Sequence, residues 1–135
     1  MKSFRCAFTI KSDTRYLSVL REWIFAAALI VGRKRFPKRA RVSCTLALIE
    51  AVDNAIFHAH KGRKHRPIKV HLNIDEGVVS VEVQDAGRGL GVKRASSPDL
   101  MLSHGRGLFL IHRLMTKVES RTKNGGHSLR MIYNI

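Results

Sequence analysis

The segment at residues 47–60, which reads ALIEAVDNAIFHAH, constrains the fold more than any other. Its spacing of apolar residues predicts a helix that is apolar nearly all round, as is typical of a buried helix. Glu50 and Asn54 lie one helical turn apart and form a polar seam on it. Because an unpaired buried charge is costly, this seam must face either a partner or solvent. From this segment alone, we expect Glu50 and Asn54 to face solvent.

The charge of the chain is strongly unbalanced, with 25 Lys and Arg against 10 Asp and Glu in 135 residues, a net charge of +15. Such a balance favours acidic partners, including nucleic acid, nucleotides and acidic proteins. The apolar fraction of 44% argues against disorder, and the length predicts one domain over residues 1–135. Cys6 and Cys44 are expected to be reduced thiols, and no apolar run is long enough to span a bilayer, so we expect a cytoplasmic protein.

Periodicity predicts eight elements of secondary structure. Alternating apolar residues predict strands over residues 3–10, 68–74, 79–85, 117–123 and 127–135. Helices are predicted over residues 16–31, 39–60 and 108–116. Gly32 should end the first helix, whose core-facing stripe is predicted to contain Leu20, Trp23, Ala27 and Ile30. In the last strand, Leu129, Met131, Tyr133 and Ile135 are expected to face the core.

A carboxylate and two pairs of glycines follow in the second half of the chain. Asp85 is in phase with the buried valines of its strand, so its side chain should face the buried side. Gly87 and Gly89 come next and allow a ligand to approach the backbone closely. Gly105 and Gly107 precede a predicted helix, where bare amides form a natural phosphate site. Taken singly, each pair is more often local geometry, and Asp85 could simply cap the loop.

Residues 33–41 hold six basic residues in nine. One interpretation is an arm for nucleic acid. The other is a solvated connector, which Pro37 favours because proline suits a loop that leads into a helix. No aromatic ladder of the kind that stacks bases accompanies the stretch.

Together, these motifs resemble those of the GHKL ATPase superfamily. The motifs similar to its N, G1 and G2 boxes are Glu50…Asn54, Asp85-x-Gly87-x-Gly89 and Gly105-x-Gly107. A closer resemblance, to the bacterial anti-sigma-factor serine kinases, rests on EAVDNAIFHAH, VQDAGRGL and HGRGLFLIHRLM. It covers essentially the whole chain. It implies an α/β two-layer sandwich, the Bergerat ATP-binding fold, with a mixed, mainly antiparallel sheet and helices on one face.

The resemblance also implies roles for the residues at the two ends of an ATP site. Asn54 would ligate a Mg²⁺ ion that bridges the phosphates, and Glu50 would be the general base for an attacking hydroxyl. Asp85 would accept a hydrogen bond from the adenine amino group, while Gly87 and Gly89 would admit the purine.

The resemblance also implies roles for the segment between the two glycine pairs and for the second glycine pair. Residues 91–104 would form a lid over ATP. The amides of Gly105 and Gly107 would hold phosphate, and Arg106 between them would either stabilise charge or point to solvent.

Three departures from the family pattern stand out. Relatives often carry an acidic pair where this chain has Thr116 and Lys117. They usually carry Gly-Thr in the last hairpin, with the threonine at the adenine; here Gly126 is followed by His127, with Ser128 next. The net charge is the third departure.

The leading hypothesis is therefore an ATP-binding regulatory serine/threonine protein kinase that phosphorylates a small antagonist protein and controls a sigma factor. Acidic protein partners are expected, with no membrane association, and the sequence leaves the choice between a monomer and a homodimer open. A second hypothesis is a non-catalytic, ATP-dependent protein-binding switch, against which the retained Glu50 argues, since binding alone needs no base. A third is a nucleic-acid-associated protein that uses residues 33–41.

Overall fold

Five strands form one sheet in a computed structural model that describes residues 3–61, 63–86, 106–123 and 125–135. The strands are β1 (Phe4–Lys11), β2 (Pro67–Asp75), β3 (Val78–Asp85), β4 (Lys117–Lys123) and β5 (Gly126–Asn134). Their order across the sheet is β1-β2-β3-β5-β4. The four pairings between them are all antiparallel. The described residues thus confirm the antiparallel part of the predicted sheet and contain no parallel pair.

One face of the sheet carries the core. Val70 lies opposite Val83, and Leu72 lies opposite Val81, in the register of β2 and β3. All four side chains are buried, because successive residues of a strand point to opposite faces and the apolar ones share a face. Gly77, at a φ of 73°, makes the tight turn between these two strands.

Among the described residues, three α-helices cover that face: α1 (Leu17–Val31), α2 (Lys38–Asn54) and α3 (Arg106–Leu114). Helix α2 lies between α1 and α3 and also contacts β3 and β5. Its buried side is lined by small residues, Ala40, Cys44, Ala47 and Ala51, which allow close packing. No helix within the described ranges is long and apolar enough to cross a bilayer.

Several predicted boundaries and core positions need correction. Helix α3 begins at Arg106 and so includes Gly107, which was predicted to precede it. The buried stripe of α1 runs through Leu20, Ile24, Ala27 and Ala28, so Ile30 falls outside it and is 62% exposed. Trp23 is only partly buried, against Phe8 of β1. Ile135 lies beyond the end of β5 and is exposed.

The basic stretch at residues 33–41 is a connector tied to the core. Gly32, at a φ of 90°, ends α1, and Pro37 directly precedes α2, as predicted. Between them Phe36 is 1% exposed, and an Arg35 guanidinium nitrogen donates to the carbonyl oxygen of Ile74 at 3.5 Å. A stretch anchored by a buried aromatic ring is not a free arm.

The predicted helix over residues 39–60 is interrupted. After α2, residues Ala55–Ala59 form a single π-type turn, closed by a hydrogen bond from the amide of His60 to the oxygen of Ala55. Such a turn holds about one extra residue and so delays the phase of later side chains by about 100°. In a regular helix His60 would lie beside Asp53 on the polar side. The wide turn instead carries it into the core, where it is 1% exposed.

Candidate functional site

The first part of the candidate site lies where α2 meets α3. A Cβ atom placed on Gly107 would lie 2.9 Å from Glu50 Oε2 and 3.3 Å from Asn54 Oδ1. Glycine is therefore the residue that lets the start of α3 approach the polar seam of α2. The structure brings Gly107 next to Glu50 and Asn54, from each of which it is more than fifty residues away in the sequence.

Glu50 is a carboxylate in a partly dry environment. Burial raises its pKa above the ordinary value for a glutamate, and repulsion from Asp53 raises it further. The pKa of Asp53 is also raised by burial, an effect that His58 opposes. A carboxylate whose pKa is moved towards neutrality is suited to accept a proton from a substrate. Asp53 received no role from the sequence, although its spacing of three residues from Glu50 on a helix was a usable signal.

Asn54 has an unsatisfied side chain. Its Nδ2 atom is buried and has no hydrogen-bond partner within the described part of the chain. A buried polar atom without a partner is costly, so this amide fits a group that bonds to a ligand rather than to the fold. The oxygen and nitrogen of an amide are assigned by their surroundings, and an amide oxygen suits Mg²⁺. The side chain of Asn54 is therefore chemically suited to bind the Mg²⁺ ion that the sequence motifs imply.

The second part of the candidate site lies at the end of β3. The side chain of Asp85 is 6% exposed, which agrees with the predicted inward orientation. His127 lies opposite Asp85 in the register of β3 and β5, and its Nδ1 is 3.6 Å from Asp85 Oδ2. The other ring nitrogen of His127 bonds the hydroxyl of Ser120 at 2.5 Å. Ser128, the next residue, lies opposite Gln84 instead. His127 is therefore the residue beside the Asp85 carboxylate.

The remaining predicted site residues divide into two groups. Arg106 is exposed at the first residue of α3. Gly87, Gly89, Gly105 and the predicted lid at residues 91–104 lie outside the described residues. A further residue, His60, was missed as a member of the site, because its partners Ser12 and Ala86 are distant in sequence and its own position is set by the π-turn.

A family of known proteins matches nearly all of the chain. The family described as the histidine kinase-like ATPase domain matches residues 10–133. The chain belongs to this family. The superfamily suggested by the sequence motifs is thereby confirmed, and membership implies use of ATP.

Curated relatives of the chain are named as an anti-sigma factor and a serine-protein kinase. The chain is 38% identical over 50 residues to the anti-sigma F factor of Halalkalibacterium halodurans, covering 36% of this chain and 34% of that protein. It is 32% identical over 100 residues to the serine-protein kinase RsbW of Listeria innocua, covering 67% of this chain and 64% of that protein. The chain thus spans about a third and just under two thirds of these relatives.

Solved structures support the fold of this histidine kinase-like ATPase domain. The RsbU and RsbW domains of Rv1364c from Mycobacterium tuberculosis match with a TM-score of 0.67 and 16% identity, over 97% of this chain and 32% of that one. The SiaB–SiaC complex from Pseudomonas aeruginosa matches with a TM-score of 0.69 and 15% identity, over 94% of this chain and 88% of that one. The predicted two-layer α/β architecture is confirmed.

Proposed function

We propose that this histidine kinase-like ATPase domain is a protein kinase that transfers the γ-phosphate of ATP to a serine or threonine hydroxyl. The observation that carries the proposal is the close approach of Gly107 to both Glu50 and Asn54, which combines a carboxylate of raised pKa with an amide nitrogen that has no partner among the described residues. A domain that only binds ATP has no need of such a base. The name of the Listeria innocua relative, serine-protein kinase RsbW, agrees with this proposal.

In the proposed reaction, Glu50 takes the proton of the substrate hydroxyl as its oxygen bonds the γ-phosphorus. The bond from that phosphorus to the bridging oxygen breaks, and ADP leaves with the electron pair. Asn54 would hold Mg²⁺, which supplies positive charge to the phosphates. The first amides of α3, at Arg106 and Gly107, would bind phosphate oxygens, since a helix N-terminus favours anions.

At the other end of the nucleotide, Asp85 would bind the adenine amino group. An ionised carboxylate only accepts hydrogen bonds, so it suits the amino group of adenine and disfavours the carbonyl of guanine. His127 beside it would help to hold the carboxylate in place. Gly87 and Gly89 would pass close to the purine, and Gly105 would join the phosphate site.

The proposed substrate is a small acidic antagonist protein, and a sigma factor is the proposed second partner. Support comes from the names of the relatives, anti-sigma F factors and serine-protein kinases, and from the net charge of +15, which favours acidic partners. A homodimer remains part of the proposal. A cytoplasmic location and a single domain over residues 1–135 stay predictions.

The proposal is tested with Glu50→Ala, γ-labelled ATP and the candidate antagonist proteins of the source organism. The wild-type chain should label a serine or threonine on one of them. Glu50→Ala should bind ATP about as tightly in calorimetry but lose transfer by a factor of at least about a hundred. Transfer at the wild-type rate by the variant would show that Glu50 is not the base. ATP binding without any transfer by the wild type would favour the non-catalytic switch.

A further inference from the structure

Four separate segments of the chain meet around the buried ring of His60. Its Nε2 accepts a hydrogen bond of 3.0 Å from the amide of Ala86. Its Nδ1 bonds the hydroxyl of Ser12, which follows β1. That hydroxyl also lies 3.0 Å from the carbonyl oxygen of Arg66, in the connection to β2. Both nitrogens of the imidazole are therefore hydrogen-bonded within the fold.

These contacts fix the protonation state of the ring. The amide of Ala86 can only donate, so Nε2 of His60 must be an unprotonated acceptor. The hydroxyl of Ser12 donates to the carbonyl of Arg66, so it accepts the proton carried by Nδ1. The imidazole is therefore neutral, with its hydrogen on Nδ1. A protonated ring would set an N–H against the N–H of Ala86, and that bond would be lost.

The ring lies between the two parts of the candidate site. His60 follows directly on the helical segment that carries Glu50 and Asn54. Ala86 is the residue after Asp85, so the bond from its amide fixes the backbone at the end of β3. The contact with Ser12 adds the end of β1 to the same cluster. A change in the protonation of this ring would therefore alter the position of Asp85, which precedes Ala86 by one residue.

We propose that His60 is a positioning residue for nucleotide binding, whose neutral imidazole holds Ala86, and through it the Asp85 carboxylate, at the end of α2 and its π-turn. This inference rests on the proposed ATP site and adds a specific requirement to it. Adenine binding requires an uncharged ring at position 60, so it weakens when that ring takes up a proton.

The charges that face the ring define the direction of this effect. Burial lowers the pKa of His60; Asp85 on β3 opposes that effect, and Arg66 adds to it. His127 on β5 contacts the same Asp85 carboxylate from the other side. The ring therefore stays neutral down to a pH somewhat below ~6.5, the ordinary pKa of a histidine. Nucleotide binding is complete above that range and falls as the pH drops through the lowered pKa of His60.

Two substitutions separate the two ring nitrogens. His60→Gln places an amide oxygen that does not titrate near the position of Nε2, so it keeps the acceptor for Ala86. His60→Asn is shorter, so its amide can replace only the Nδ1 donor to Ser12. His65→Gln, at an exposed position in the preceding connection to β2, is the matched control.

The first test is calorimetric titration with Mg–ATP at about pH 8 and about pH 5. His60→Asn should bind roughly tenfold more weakly than wild type at the higher pH, while His60→Gln should stay within about threefold. On acidification, wild type and His65→Gln should lose more affinity than His60→Gln, because only they keep a ring that can take up a proton at position 60. The phosphates of ATP titrate equally for every variant, so this difference isolates the ring.

The second test uses the nucleotide-free wild-type protein, so that it does not depend on ATP binding or on a variant that folds poorly. The amide resonance of Ala86, followed by nuclear magnetic resonance, should shift with the titration of the His60 ring. An Ala86 amide that does not respond to the ring would overturn the proposal. Equal acid sensitivity of wild type and His60→Gln would also overturn it. If wild type bound no adenine nucleotide at either pH, the proposed function would fail. The resonance of the Ala86 amide would still show whether it depends on the protonation of His60.

Discussion

At the residue scale, the electrostatics of the site centre on two acids that lie three residues apart on α2. Glu50 contacts the start of α3, and Asp53 raises the pKa of Glu50 by repulsion. The larger cause is burial, because a low dielectric disfavours the charged form. In the proposed reaction, Asp53 would therefore act through Glu50, tuning the pKa of the proposed base rather than contacting the substrate.

Asp53→Asn should move the pH dependence of phosphoryl transfer. A general base works only when deprotonated, so transfer falls as the pH drops through the pKa of Glu50. Removal of the neighbouring charge lowers that pKa, so the acid limb of the rate profile should move to lower pH. The rate of γ-phosphate transfer across a pH series measures this shift, with Asp75→Asn at the last residue of β2 as control. An acid limb that stays in place would remove Asp53 from the account.

Gly107→Ala should damage catalysis more than folding. The new methyl group would meet Glu50 Oε2 at 2.9 Å, and the end of that flexible side chain is what must move. A misplaced catalytic group costs up to about a hundredfold in rate, whereas alanine within a helix adds up to about 1 kcal/mol of stability over glycine. We expect at least a tenfold loss of transfer with a urea midpoint that does not fall. His112→Ala, on the exposed side of α3, should change neither. An unchanged rate in Gly107→Ala would contradict the close approach of these groups.

At the element scale, the structure departs from its sequence pattern mainly at the end of α2. The alternation of β2 and β3, the stop at Gly32 and the inward Asp85 were all predictable, because each follows from a local period or a local backbone preference. The π-turn could not be predicted, because its sequence AIFHA is also compatible with a regular helix. Tertiary bonds to His60, from segments distant in the chain, accompany it.

The connector between α1 and α2 offers a test of its own. Phe36 is among the largest fully buried side chains, although it lies in a stretch of mostly basic residues. Phe36→Ala should destabilise the fold by about 3–5 kcal/mol, because it removes a buried ring and leaves a cavity. Lys34→Ala in the same stretch should shift stability by less than about 0.5 kcal/mol. Urea unfolding of both variants gives the comparison, and similar midpoints would mean that the stretch is not anchored.

At the scale of the whole molecule, the candidate site depends on how distant segments assemble. The sequence motifs identify Glu50, Asn54 and Asp85 as candidates, but the order of motifs does not show which of them touch. The structure places Gly107 against Glu50 and Asn54, and it places His127 beside Asp85. The roles of Asp53 and His60 depend on burial and on contacts across the fold, which no local pattern contains.

The positive charge is also distributed over the whole molecule. Arg35 lies by Ile74 near one end of β2, while Arg66 directly precedes the other end. A strand of this length spans roughly 30 Å, so the basic segments around these two arginines are at opposite ends of the sheet. This arrangement favours long-range attraction of acidic partners over one compact nucleic-acid site.

Calorimetric titration of the wild-type chain with ATP and GTP, with and without Mg²⁺, tests the proposed nucleotide site directly. We expect Mg²⁺-dependent ATP binding, discrimination against GTP by at least about a hundredfold, and loss of that discrimination in Asp85→Asn. Absence of adenine nucleotide binding by the wild type, or equal affinity for the two nucleotides, would contradict the proposed site.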